Sequence, residues 1–319
     1  MKLPPITLIL IHFGLSLITL NGFARERPRG EYDNGTLTGT MSRGVEYYVR
    51  VPLEYDSNPD KVYPVLYAMH GLGSSATGWV DTALLVEAMN NGYPAVVVTF
   101  FGGPYWYVDA PGNEDIQYKT FFFNELVPFI QSNYRVGTTP NMRAVTGYSM
   151  GGFGAWHYMT EKPDFFGSVS AVAGALDRAP SGSSNDTYTR LNAIANNNID
   201  LPPTQLWCGT ADGLITTNRN MKQYLIDHGY SSEIIEEPGG THLYWQSQAA
   251  KILKWHFKHF EVEKWRELPV SNHSSYTNAF GWINASASDP WGWVYNLNQW
   301  VYLPNNLDLE TGGWVYIRK

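Results

Sequence analysis

From Tyr63 to Phe260, short apolar runs alternate with segments whose apolar positions recur at helical spacing. Val65-Leu66-Tyr67-Ala68-Met69 is almost unbroken apolar sequence, as expected of a strand covered on both faces of a parallel sheet. The spacing predicts further strands at Ala95 to Phe101, Arg143 to Thr146, Ser168 to Ala175, Thr204 to Cys208 and Ser232 to Glu236. It predicts helices at Thr82 to Asn90, Phe121 to Tyr134, Gly152 to Thr160, Asn218 to His228 and Leu243 to Phe260. Ahead of this alternation, Thr36 to Tyr55 reads as two strands, the second rich in β-branched and aromatic residues. The pattern predicts an α/β fold: an open, mostly parallel sheet with helices on both faces. Sites in such sheets lie at the C-terminal ends of the strands.

The pattern changes after about Leu268. Five of the twelve tryptophans lie between Trp282 and Trp314, and Trp-Val-Tyr recurs at positions 293, 300 and 314. This predicts a small C-terminal β-rich appendage, a β-meander over residues 270–319. It is either a cap on the main domain or a contact for polysaccharide. The main domain is expected over residues 30–262.

The N-terminus has its own pattern. Lys2 precedes a mostly apolar run from Ile6 to Leu20, and Gly22-Phe23-Ala24 puts small residues where a signal peptidase cuts. A signal peptide over residues 1–24 is expected, and with it a secreted or periplasmic location and no stable membrane insertion after cleavage. With 319 residues, 44% hydrophobic and 16% charged, the chain can bury a large core. The net charge of -7 and the lack of a Lys/Arg-rich block argue against nucleic acid as a partner. Cys208 is the single cysteine, so no disulfide can form within the chain.

Three segments carry candidate chemistry. Gly147-Tyr148-Ser149-Met150-Gly151 follows a predicted strand and opens a predicted helix. That setting makes Ser149 a candidate nucleophile. A serine hydroxyl needs a base, and His242, after the last predicted strand, is the best placed. His12 lies in the signal, His157 and His228 within helices and His273 past the sheet; His256 and His259, near a helix C-terminus, suit the helix dipole as cations. Asp212, in the turn after Thr204 to Cys208, is the candidate partner of the imidazole, with Asp177 as the rival. The order Ser149, Asp212, His242 suits this fold. The tetrahedral intermediate needs N–H donors for its oxyanion. Met150, after the nucleophile, and Leu72, in His70-Gly71-Leu72-Gly73, are the candidates, and His70 is expected to hold that loop together. Tyr105, Trp106 and Tyr107 form a candidate substrate-binding wall. None of these residues calls for a metal or an organic cofactor.

Together with Glu125-Leu126-Val127-Pro128, these segments resemble the esterase D / feruloyl esterase group of α/β-hydrolases, related to the mycobacterial mycolyltransferases. The resemblance covers roughly Glu46 to Phe260. It implies the α/β-hydrolase fold and a serine carboxylic-ester hydrolase working through an acyl-enzyme. The implied substrates are small-molecule or glycan esters, acylated carbohydrates in particular. An acyltransferase of the mycolyltransferase type is the alternative within the fold. A peptidase of the same fold and a carbohydrate-binding surface protein with a vestigial triad are further ones.

Overall fold

A computed structural model describes residues 32–262 and, beyond them, seven short strands between Lys264 and Ile317. The expected signal peptide lies outside the described residues. An eight-stranded sheet organises residues 32–262, with strand order β1-β2-β4-β3-β5-β6-β7-β8. The strands are β1 (Asp33–Leu37), β2 (Val45–Arg50), β3 (Val65–Met69), β4 (Val96–Phe100), β5 (Arg143–Gly147), β6 (Ser168–Val172), β7 (Thr204–Gly209) and β8 (Ser232–Glu237). β1 and β2 are antiparallel, and β2 joins β4 antiparallel. From β4 through β3 to β8 every pairing is parallel.

Helices cover both faces. They are α1 (Ala83–Asn90), α2 (Tyr118–Phe121), α3 (Val127–Asn133), α4 (Met150–Glu161), α5 (Thr187–Asn196), α6 (Ile215–Asp227) and α7 (Trp245–His259). A π-helical turn, Phe122–Leu126, joins α2 to α3. Alternate residues of one strand feed opposite cores, the direct consequence of its period of two. Val65, Tyr67 and Met69 of β3 belong to one core with Trp156 and Tyr158 of α4 and Met221 of α6. Leu66 and Ala68 pack with Leu85 of α1 and Ile252 of α7. All five residues of β3 are buried, which is why its sequence shows no polar alternation. Among the described residues no helix is long and apolar enough to cross a membrane.

The structure departs from the expectations in three places. Helix α5 is absent from the predicted elements. Its chain is mostly polar and only Leu191 and Ile194 supply a buried aliphatic face. The sign that could have revealed it is Asp186, whose carboxylate accepts from the Thr189 N–H at 2.9 Å as a helix cap. Helix α4 begins at Met150, two residues earlier than expected, because the glycines at 151 and 152 sit inside its first turn. His256 is no cation at a helix end. It is fully buried, takes contacts at 2.8 Å from Ser168 Oγ and 2.9 Å from Ser170 Oγ, and burial lowers its pKa well below the usual imidazole value.

Past the main sheet, β9 (Lys264–Trp265) pairs with β10 (Leu268–Pro269). β11 (Ser274–Thr277), β12 (Gly281–Asn284), β13 (Trp291–Val294), β14 (Gln299–Tyr302) and β15 (Tyr316–Ile317) form a five-stranded antiparallel sheet in chain order. Paired positions share a face. The register Tyr276↔Trp282, Asn284↔Trp293, Trp293↔Trp300, Trp291↔Tyr302 and Tyr302↔Tyr316 therefore sets seven Trp and Tyr positions on one face. Trp314 lies outside the described residues.

Candidate active site

The site forms where the strand order reverses. β3 and β5 are neighbours, although β4 separates them in sequence, so the loops after β3 and β5 meet at the C-terminal edge of the sheet. Ser149 stands two residues past β5, as the N-cap residue of α4, at φ 56 and ψ -113, a region that non-glycine residues avoid. Holding it there costs about 1–3 kcal/mol, which the surrounding structure must supply. Its N–H donates to the Val172 carbonyl at 2.9 Å, and its carbonyl accepts from Ala175 at 3.1 Å and Phe153 at 3.2 Å. Glycine is required two residues on, at Gly151, since a Cβ there would run into the Met69 carbonyl.

The three candidate side chains are brought together. His242 Nε2 lies 3.0 Å from Ser149 Oγ, and His242 Nδ1 lies 2.8 Å from Asp212 Oδ2. The second carboxylate oxygen of Asp212 accepts from the Leu214 N–H at 2.8 Å. The carboxylate is thus oriented by backbone and almost wholly buried, while the imidazole is 40% exposed. A carboxylate on Nδ1 holds the proton at that nitrogen and leaves Nε2 free to accept from the serine. Asp177, the rival acid, is not part of this chain. It accepts weakly from Thr217 Oγ1 at 3.3 Å and sits half-exposed beside Arg178.

The two turns that carry Asp212 and His242 are fastened to each other. The Thr210 N–H donates to Glu237 at 2.9 Å and the Ala211 N–H to Gly240 at 3.0 Å. Opposite the serine, His70 fastens two loops. Its Nδ1 donates to the Gly71 carbonyl at 2.8 Å, and its Nε2 accepts the Gly102 N–H at 2.9 Å. Burial lowers its pKa, so it is neutral and both ring nitrogens are engaged. Met150 opens α4 and Leu72 lies in the loop after β3. Among the described residues neither of their N–H groups donates a hydrogen bond, which leaves both available to an incoming oxyanion.

The aromatic wall separates into two kinds of residue. Tyr107 is fully buried. Its hydroxyl donates to the His70 carbonyl at 3.0 Å and its ring packs edge-on against Phe100. It is a core residue and not a substrate contact, because the buried polar tip has found a backbone partner. Trp106 and Tyr105 remain partly exposed. Trp106 meets Phe153 edge-on at 5.7 Å and Tyr105 stacks on Tyr118 at 5.8 Å. Trp106 and Tyr107 both have φ near 60°, so this loop is strained next to the site. Sequence reasoning also left aside Tyr148, whose ring lies 4.9 Å from His242.

The sheet order, the strand–turn–helix at Ser149 and the positions of Asp212 and His242 define an α/β-hydrolase fold. Residues 38–256 match the family described as "Putative esterase", and the chain belongs to that family. An esterase of Mycobacterium tuberculosis is 32% identical over 129 residues, which is 40% of this chain. The matched segment spans only 28% of that relative's length. An acetyl esterase of Caldicellulosiruptor saccharolyticus is 24% identical over 219 residues, 60% of this chain and 82% of the relative. Among solved structures, a ferulic acid esterase superposes with a TM-score of 0.63 at 23% identity, covering 72% of this chain and 98% of its own.

Proposed function

We propose that this protein is an exported serine carboxylic-ester hydrolase that works through an acyl-enzyme, with acylated carbohydrates as substrates. The observation that carries the reading is the hydrogen-bonded chain Ser149–His242–Asp212, with the serine held on a strained turn at the sheet's C-terminal edge. Ser149 Oγ attacks the ester carbonyl as His242 Nε2 takes its proton. The negative charge that develops on the carbonyl oxygen is met by the N–H groups of Met150 and Leu72. Asp212 holds the imidazole and balances its charge. The imidazolium then gives its proton to the departing alcohol oxygen, which leaves an acyl group on Ser149. A water then gives its proton to His242 as its oxygen attacks the acyl carbon; the bond from that carbon to Ser149 Oγ breaks, Oγ takes the proton back from His242, and the acid is released.

The named activities of the acetyl esterase and the ferulic acid esterase support an acyl group that is small or aromatic. The partly exposed Trp106 and Tyr105 support a ring-bearing substrate on the same side. The carbohydrate part of the reading rests on the resemblance of the sequence motifs and on the signal peptide expected over residues 1–24. A screen of acetyl and feruloyl esters, free and on a sugar, tests the reading. Release of free acid that disappears with Ser149→Ala is the expected result. Acyl groups passed mainly to an added sugar, with little free acid, would make the protein a transferase instead.

We infer a second role for the five-stranded tail, a contact with polysaccharide. Its register gathers seven Trp and Tyr positions on one face, and its strands contain no charged residue. That composition suits a neutral, ring-shaped ligand. Adsorption of the full chain to insoluble glycan, lost on removal of the tail, is the expected result.

A further inference from the structure

Tyr148 is the variable residue of the Gly-x-Ser-x-Gly turn, and three separate parts of the site converge on its ring. The ring centroid lies 4.9 Å from that of His242, with the planes inclined at 45°. The same ring stacks on Trp245 at 5.4 Å and 25°, and Trp245 packs on Trp79 at 4.6 Å. The Trp79 indole N–H donates to the Met69 carbonyl at 3.0 Å. That oxygen also accepts the Tyr148 backbone N–H at 3.1 Å, so both ends of the aromatic row are anchored to the last residue of β3. On another side the ring meets the loop that carries Leu72. A Cβ on Gly71 would lie 2.7 Å from two carbons of the Tyr148 ring, so the loop is in contact with it.

We propose that Tyr148 is a positioning residue: its ring, braced by Trp245 and Trp79, sets the placement of His242 relative to the Gly71–Leu72 loop. One rigid side chain thereby spaces the base from an oxyanion donor. This rests on the reading of Ser149 as nucleophile and His242 as base. The phenol group itself has no chemical part. Among the described residues its hydroxyl makes no hydrogen bond, and burial, followed by the charge of Asp212, pushes its pKa up to about 12, so it holds its proton at neutral pH. The ring is what matters. A misplacement of reacting groups by about 1 Å costs on the order of 100-fold in rate, and a lost ring would allow that much drift.

The test uses Tyr148→Leu, Tyr148→Phe and Trp245→Leu in the full chain. Hydrolysis of p-nitrophenyl acetate gives kcat and KM, and labelling by a fluorophosphonate gives the rate of attack by Ser149. Tyr148→Leu is expected to lower kcat and the labelling rate by about 10- to 100-fold, with KM nearly unmoved. Tyr148→Phe should restore most of both. Trp245→Leu should lower kcat in the same direction by a smaller factor, and it decides the matter if Tyr148→Leu does not fold. A folded Tyr148→Leu with kcat within about twofold of the parent would overturn the proposal. So would a loss confined to KM, or a Phe variant as impaired as the Leu variant. Ser149→Ala is the separate control. If it stays active, the reading of the site has failed, whatever Tyr148 does.

Discussion

Gly209 and Gly240 lie back to back, and the Gly240 carbonyl oxygen fills the space that a Cβ on Gly209 would need. The turn that bears Asp212 and the turn that bears His242 can approach closely only because position 209 has no side chain. Gly209→Ala is therefore expected to push the two turns apart. Overpacking against backbone costs about 1–3 kcal/mol. The variant should melt lower by about 2–4 °C for each kcal/mol lost, and kcat should fall by at least about tenfold as Asp212 and His242 separate. Thermal melting and ester hydrolysis on one preparation check both.

Ser149→Ala should reduce ester hydrolysis by about 10⁴- to 10⁶-fold with the fold intact. Asp212→Asn should reduce it by about 10⁴-fold, because the amide favours the wrong imidazole tautomer. Asp177→Asn should behave like the parent. A larger loss at Asp177 than at Asp212 would mean that the wrong acid has been named.

Trp106 and Tyr107 are neighbours in sequence with opposite expected phenotypes. Trp106→Ala should raise KM for a feruloyl ester several-fold more than for an acetyl ester. Tyr107→Phe leaves the buried His70 carbonyl without its donor, which costs about 1–3 kcal/mol of stability. It should lower the melting temperature and leave the ratio of the two KM values unchanged.

The buried histidines make stability fall in mild acid. Burial, with smaller contributions from Arg190 and Lys119, holds the His157 pKa at about 3, against an ordinary value of 6.5. Below pH 6.5 the unfolded chain takes up a proton that the folded chain refuses. Stability is then lost progressively as the pH falls from 6.5 toward 3, by up to about 1.4 kcal/mol per pH unit for this residue. Denaturant titrations between pH 7 and 4 should show that slope. His157→Phe, which stays in a stack already shared with Phe153, should flatten it. An identical slope in the variant would place the acid sensitivity elsewhere.

Truncation before Ser271 should leave hydrolysis of a small soluble ester largely intact, since every proposed catalytic residue lies at or before His242. A lower melting temperature in the truncated protein would mark the tail as a cap on the main domain. Unchanged melting with weakened adsorption to insoluble glycan would mark it as a binding module. Loss of small-ester hydrolysis in a truncated, folded protein would contradict both and bring the tail into the active site.

The parallel strands were legible because each is buried on both faces and reads as an apolar run; β3 coincides with its expected limits. The three side chains that meet at the site were legible because each follows a strand, and a strand's end is visible in sequence even when its neighbours are not. Two things were hidden. Helix α5 buries too little apolar surface to announce itself, and only its Asp186 cap marks it. The difference between Trp106 and Tyr107 depends on which way a strained loop turns its side chains. Adjacent aromatics look alike until the backbone at φ near 60° leaves Trp106 partly exposed and aims Tyr107 inward.

His256 is within hydrogen-bonding distance of two serines, so the chain contains more serine–histidine contacts than the one proposed to do chemistry. The difference lies in access. Ser168, Ser170 and His256 are sealed in the interior, and the hydroxyl of Ser170 is already committed to Thr146 at 2.7 Å. No ester can reach them, and no tetrahedral centre could be accommodated there. A covalent serine probe should therefore tag this protein once, at position 149, and the stoichiometry of that tag would count the working molecules in any preparation.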